Sequence, residues 1–333
     1  MWVINNRKIF YACSGILVLI SFLSLIFWGL KPGIDFAGGT LIEVQYPNGR
    51  PNQAVISAEL SKLDAGASIR PSGSNEYIVR MKPIDQAEKA LVFGVLNASE
   101  SASVTANPAS STVISNSLGS SSSVSVTATP VSPSSVNDQA VIKTFDSIGP
   151  ILGAEALRKA YVSIILVIIG IVIFITFAFR KVSLPVSSWK YGLTAIIALV
   201  HDVIIPVGAF SILGHFAGYE VDTLFVTALL VILGFSVHDT IVVFDRVREN
   251  LKLASERKPF AEVVGESISQ TFTRSINTSL TTLIALIVLY ILGGSTTEHF
   301  SLALIIGIAV GTYSSIFIGS PLLVTLQKLQ KKK

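Results

Sequence analysis

Apolar residues in this 333-residue chain gather into six long runs, at 9–28, 160–179, 191–213, 224–244, 275–292 and 302–326. A helix needs about 20 residues, at about 1.5 Å each, to cross about 30 Å of hydrocarbon. The runs therefore predict six membrane-spanning helices. YVSIILVIIGIVIFITFAF (161–179) has no charge and no polar face, which excludes a soluble helical bundle. The first run is interrupted by Ser21 and Ser24. The fifth is densely apolar only from Leu280, so it must take in Arg274–Ser279 to cross.

Between the first two runs the pattern changes. TLIEVQY (40–46) alternates as a strand does. PNQAVISAELSKL (51–63) predicts a helix starting near Pro51 or Asn52. ASIRP and EYIVRM predict two strands around a Ser-Gly-Ser-Asn turn. A second helix is expected over 86–97 and a returning strand over 139–148. Together these predict a small α+β, ferredoxin-like layer. Within 99–137, fifteen residues are Ser and none is Lys or Arg. That stretch reads as a flexible, low-complexity excursion, with a Ser/Val-rich hairpin through VSVTAT (124–129) as the alternative. GIDFAGG (33–39) follows the first run. Its glycines Gly33, Gly38 and Gly39 permit tight turns, and Asp35 can accept backbone hydrogen bonds there. It lacks the GKS/T ending of a phosphate loop and reads as a structural joint.

Charge orients the spans. Half the residues are apolar and 14% are charged. Six spans put both termini on one side, and fifteen of the 25 Lys and Arg fall on that side. The opposite short loops, 214–223 and 293–301, have none and carry Glu220, Asp222 and Glu298. Cytoplasmic loops are rich in Lys and Arg. Both termini are therefore expected in the cytoplasm and 30–159 outside. The expected division is a terminus and first span (1–29), an outer domain (30–159), a five-helix region (160–326) with an inner loop (245–274), and a basic tail (327–333). Arg7 and Lys8 before the first run resemble a signal peptide. The run is too long for one and no clean cleavage site follows, so a retained anchor is expected. The net charge of +4 reflects these inner-face cations rather than a nucleic-acid surface. A single Cys13 excludes a disulfide framework.

The ionisable groups inside the runs carry the candidate chemistry. LVHDVIIPVG (199–208) holds His201 and Asp202, and GFSVHDTIVVFDR (234–246) holds His238 and Asp239. Asp202 lies about 16 Å along its run, near mid-span, and Asp239 about 7 Å inside the cytoplasmic edge. An acid in hydrocarbon costs several kcal/mol unless paired, hydrated or protonated, which makes each a candidate proton carrier. Arg274, at the inner start of the fifth span, is the expected cationic partner of Asp239, in a pair that makes and breaks. Helix neighbours point about 100° apart, so His201 and His238 are expected on other faces, relaying protons or bonding across helices. Static packing of the same groups is the alternative. The two HD pairs lack HExxH spacing, which disfavours zinc, and no cofactor is expected. Ser236 does not face His238 or Asp239, which disfavours a hydrolytic triad.

In the last run Ala303, Gly307, Gly311, Ser315 and Gly319 recur every fourth residue, a line of small side chains that predicts close helix packing. Ser279, Thr281 and Thr282 are expected to bond to neighbouring helices. Phe260, Val263, Val264 and Ile268 in the inner loop predict an interfacial helix.

GIDFAGG, FDSIGPILGAE (145–155), LVHDVIIPVG, LGFSVHDTIVVFDRVREN (233–250) and QTFTRSINTSLTTL (270–283), with the Gly-rich sixth run, resemble the SecF family of protein-export membrane proteins. The resemblance covers nearly all of the chain outside 99–137. It implies a six-span bundle like that of the RND exporters, carrying one extracytoplasmic α+β domain, in the bacterial cytoplasmic membrane. It implies a partnership with SecD, association with the SecYEG channel, function after SecA, and use of the proton-motive force late in preprotein export. The family's fourth-span acid falls on Asp239, its fifth-span basic residue on Arg274 and its third-span acid on Asp202. His238 stands where the family usually has Asn or a similar residue, and 99–137 is longer than usual. An RND-type exporter of small molecules or lipids, and a translocon scaffold without ion coupling, are the alternative functions. The first would carry two outer domains and twelve spans, or dimerise.

Overall fold

The computed structural model describes residues 1–47, 49–64, 66–104, 140–179, 188–254 and 258–331. In chain order it comprises α1 (Trp2–Asn5), α2 (Arg7–Phe27), α3 (Ile34–Ala37), β1 (Gly39–Gln45), α4 (Gln53–Leu63), β2 (Ser68–Ser72), β3 (Glu76–Met81) and α5 (Gln86–Val104). There follow β4 (Val141–Ile148), α6 (Pro150–Ala178), α7 (Ser188–Phe216), α8 (Thr223–Leu253), α9 (Phe260–Leu292), α10 (Ser295–Ser314), a π-helical segment (Ser315–Gly319) and α11 (Ser320–Lys331). Two compact units form, 1–37 with 152–333 and 38–151.

The first unit is helical. Among the described residues six of its helices are long and apolar enough to cross a membrane: 7–27, 150–178, 189–216, 223–253, 260–292 and the continuous stretch 297–329. The chain is thus a multi-pass membrane protein. Ser21 and Ser24, the polar breaks in the first run, are buried where α2 meets α7. Ser24 Oγ donates to the Gly208 carbonyl at 3.1 Å, and Ser211 Oγ returns a bond to Ser24 O at 2.9 Å. A Cβ at Gly208 would lie 2.2 Å from Ser21 Cβ. Polarity in that span therefore serves helix contact rather than a water-facing surface.

The inner connection differs from the expected interfacial helix. α8 runs on to Leu253 and α9 starts at Phe260, so most of 245–274 belongs to two long helices. Phe260, Val264 and Ile268 are buried in one core with Val243, Phe244, Val247 and Ile4. Their periodicity marks a bundle face, because apolar area gains more from packing than from an interface already half wet. α6 likewise starts ten residues before the expected span, at Pro150, whose fixed φ and missing N–H suit a first helical turn.

The line of small residues on α10 faces α8. A Cβ on Gly307 would meet Ile232 Cδ1 at 2.1 Å, and one on Gly311 would meet Ser236 Cβ at 3.2 Å. Ser315 continues the contact, its hydroxyl 2.9 Å from Thr240 Oγ1. Gly319 does not: its nearest neighbour would be the Ser314 carbonyl at 3.6 Å. The π-helical turn that begins at Ser315 rotates the following residues out of the four-residue register.

The second unit is a four-stranded sheet of order β2-β3-β1-β4, antiparallel throughout, in a β-α-β-β-α-β chain order. This is the ferredoxin-like arrangement. Asn52 caps α4 by accepting the Ala54 N–H at 2.9 Å. Alternation in β1 buries Ile42 and Val44 against Ile56 and Leu60 of α4 and Val92 and Leu96 of α5. Asp64 closes the far end of α4, accepting the Gly66 N–H at 2.9 Å and the Lys82 N–H at 2.8 Å. The Lys82 amide first, then the Gly66 amide and the Lys82 ammonium, hold its carboxyl below the usual carboxylate range. α5 extends to Val104, past the expected end at 97. The proposed hairpin at 124–129 lies outside the described residues.

Candidate functional site in the membrane bundle

The GIDFAGG joint divides its work between the two units. In the helical unit, Gly33 N–H donates to Val221 O at 2.7 Å, and a Cβ there would sit 3.1 Å from that oxygen. Asp35 Oδ2 accepts the Thr223 N–H at 2.9 Å and the Thr223 hydroxyl at 2.5 Å. Asp222 caps the same helix, its Oδ1 accepting the Phe225 N–H at 2.7 Å. Asp35 thus holds the start of α8 rather than its own turn, and helix N-termini favour such carboxylates. Burial raises the Asp222 carboxyl above its ordinary range, and the nearby Asp35 carboxylate adds to the rise. In the sheet unit, Gly38 has φ +75°, and a Cβ there would come within 2.9 Å of Pro150 Cα. Gly39, also at positive φ, opens β1 opposite Ile148.

Asp202 is 0% exposed and Asp239 6%. α7 and α8 carry them into the bundle, and serines meet them there. Asp202 Oδ2 accepts from the Ser236 hydroxyl of α8 and, at 2.7 Å, from the Ser314 hydroxyl of α10. Its Oδ1 lies 2.9 Å from His201 Nδ1. The His201 ring therefore turns back onto its neighbour's carboxylate instead of pointing to another face, and its Nε2 is buried without a partner. Pro206, inside α7, has no N–H for the Asp202 carbonyl four residues before it. The polar cluster thus sits at a local weak point of its helix.

Asp239 Oδ1 accepts from the Ser275 hydroxyl of α9 at 2.6 Å, and its Oδ2 has no partner. The expected Asp239–Arg274 pair is not formed. Ser275 is buried and faces α8, so the preceding Arg274 is turned away and exposed. His238 is also exposed, about 100° round α8 from Asp239. The structure therefore brings together His201 with Asp202 and leaves Arg274 and His238 outside. Ser279 continues the hydroxyl row, paired with Thr312 at 2.6 Å, while Thr281 and Thr282 bond back to Thr278 of their own helix.

Sequence reasoning passed over Ser236, Ser275 and Ser314 as partners of the acids. Only helix phase reveals them: Ser236 is three residues before Asp239, on the α8 face that Gly311 approaches. Among the described residues no group of three or more His, Cys, Asp or Glu has the proximity to hold a metal.

This arrangement sits in a recognisable chain. The profile described as protein export membrane protein SecD/SecF, C-terminal, matches residues 131–329, and that of the SecD/SecF GG motif matches 24–46. The chain belongs to the SecD/SecF family. The protein translocase subunit SecF of Thermobaculum terrenum is 38% identical over 332 residues, covering 97% of this chain and 93% of that one. SecF of Anaerolinea thermophila is 34% identical over 325 residues, with coverage of 97% and 92%. The crystal structure of SecDF, a translocon-associated membrane protein from Thermus thermophilus, matches with a TM-score of 0.75 at 28% identity over 98% of this chain. The chain spans 38% of the length of that SecDF chain. The GG motif of the family coincides with the joint, where positive φ and backbone proximity require glycine at position 38.

Proposed function

We propose that this protein is the SecF-type subunit of a bacterial preprotein translocase, working with SecD beside the SecYEG channel to draw late-stage export from the proton-motive force after SecA has acted. The reading places both termini, the 245–274 connection and the 327–333 tail in the cytoplasm. It places 30–159, with its Ser-rich 99–137 insert, outside, where the unfolded preprotein emerges. Family membership and the full-length relatives named SecF support the export role and the SecD partnership. The observation that carries the coupling is the pair of buried carboxylates at membrane depth, each held by serine hydroxyls from another helix.

Asp239 is the mobile proton site in this reading. Ser275 holds its carboxylate by a charge-assisted bond, about twice as strong as one to a neutral acceptor. Protonation removes that charge and loosens α8 from α9; deprotonation restores the contact. The unpartnered Oδ2 is the atom that receives the proton. Arg274, one position before Ser275 on α9, swings toward the carboxylate when the helices shift. Asp202 fixes the α7–α8–α10 contact that the movement works against.

Cells depleted of their own SecF, supplied with this chain and its cognate SecD, test the role. Restored export that collapses when a protonophore is added supports it. Restoration insensitive to the protonophore, at constant ATP, points to a scaffold.

A further inference from the structure

The cluster around Asp202 contains more than one acid. Both carboxylate oxygens are occupied, Oδ1 by His201 Nδ1 at 2.9 Å and Oδ2 by the Ser236 and Ser314 hydroxyls. A carboxylate accepts only, so Nδ1 carries the hydrogen and Nε2 keeps a free lone pair. That nitrogen belongs to a residue only 6% exposed, and it has no hydrogen-bond partner. Among the described residues no Lys or Arg pairs with Asp202; its one ion-pair partner is the imidazole.

We propose that His201, through Nε2, takes up the proton in this cluster while Asp202 stays a carboxylate throughout; this rests on the proton-driven reading above. One proton on Nε2 turns a buried negative charge into a neutral imidazolium–carboxylate pair, and breaks none of the three bonds to Asp202. A proton on Asp202 would instead remove the charge that strengthens all three of its bonds. Carboxylate partners orient histidines in this way in other buried sites, fixing the tautomer and leaving the second nitrogen for chemistry.

The surrounding groups leave the imidazole in this role. From α10, Tyr313 stacks on the ring with centroids 6.4 Å apart. Its hydroxyl is engaged by α2, donating to Phe10 O at 3.2 Å and receiving from Ser14 at 3.3 Å. Cys13 of α2 also bears on that tyrosine. From α8, Ser236 faces the cluster, while Asp239 is turned to Ser275 on α9.

Nitrogen-15 spectra of histidine-labelled protein, in bilayers with the cognate SecD, read the imidazole directly. Removing His215, His238 and His299 one at a time assigns the His201 signal. His201 is expected to hold its Nδ1 hydrogen at every pH and to gain one on Nε2 as pH falls. A neutral His201 across the whole range in which the protein stays folded overturns the proposal. His201→Asn keeps an N–H for Asp202 but takes up no proton, so at wild-type abundance it should lose protonophore-sensitive export. Wild-type export by that variant also overturns the proposal. Asp239→Asn run in parallel separates the two levels. If it stalls export while His201→Asn does not, only this inference fails; if neither stalls, the proton-driven reading fails with it.

Discussion

Ser275, and not Arg274, holds Asp239: the serine hydroxyl is 2.6 Å from Oδ1 in the interface of α8 and α9, and the arginine points off that face. A hydrogen bond to a charged group contributes about 1.5–3 kcal/mol. Ser275→Ala should therefore loosen the α8–α9 contact and slow export, and Ser275→Thr should retain most of both. Pulse-labelled precursor processing at equal membrane abundance checks the pair. Equal behaviour of Ala and Thr would show that the hydroxyl is dispensable.

Gly307 and Gly319 share a sequence pattern and differ in structure. A methyl at 307 meets Ile232 at 2.1 Å, whereas at 319 the nearest atom is 3.6 Å away. Overpacking of this kind costs about 1–3 kcal/mol. Gly307→Ala should lower the thermal stability of the purified protein, with partial recovery on adding Ile232→Val, and Gly319→Ala should leave it unchanged.

Asp35 contributes a cap from outside its own helix. Removing an N-terminal cap costs about 1 kcal/mol. Asp35→Ala should increase amide exchange over the first turn of α8, at Thr223–Val226, and leave the sheet unit protected as before. Asp35→Asn should fall between, because an amide oxygen still accepts from Thr223.

Asp64 makes the stability of the sheet unit depend on pH. Its folded-state carboxyl is depressed, so the stabilisation is fully present above the ordinary carboxylate value of 3.8 and is lost as pH falls through the lower folded value. Amide exchange of β3 and α4, relative to the intrinsic rate at each pH, should thus accelerate only below about pH 3.8 in the wild type. In Asp64→Asn the exchange should be faster already at neutral pH and should change less on acidification.

Much of this was legible in the sequence, for a physical reason. Spans announce themselves by length and apolarity, and the sheet unit by alternation, an Asn cap and turn residues. The ionisable residues were visible because hydrocarbon makes them costly. Their partners were not. Ser236, Ser275 and Ser314 look like any membrane serine until helix phase and crossing place them against a carboxylate. Arg274 looked like the partner by depth alone; rotation about the α9 axis, which depth does not contain, put its neighbour there instead. Gly319 fitted a four-residue repeat that a π-helical turn interrupts.

The central claim is that Asp239 carries a proton whose movement drives export. Proteoliposomes holding this chain with its cognate SecD, loaded with a pH-sensitive dye and given an imposed proton gradient, measure that movement directly. Wild type should admit protons, and Asp239→Asn should fall to the level of empty liposomes. Equal proton flux through both proteins, at equal reconstituted abundance, would contradict the account and leave Asp239 a packing residue.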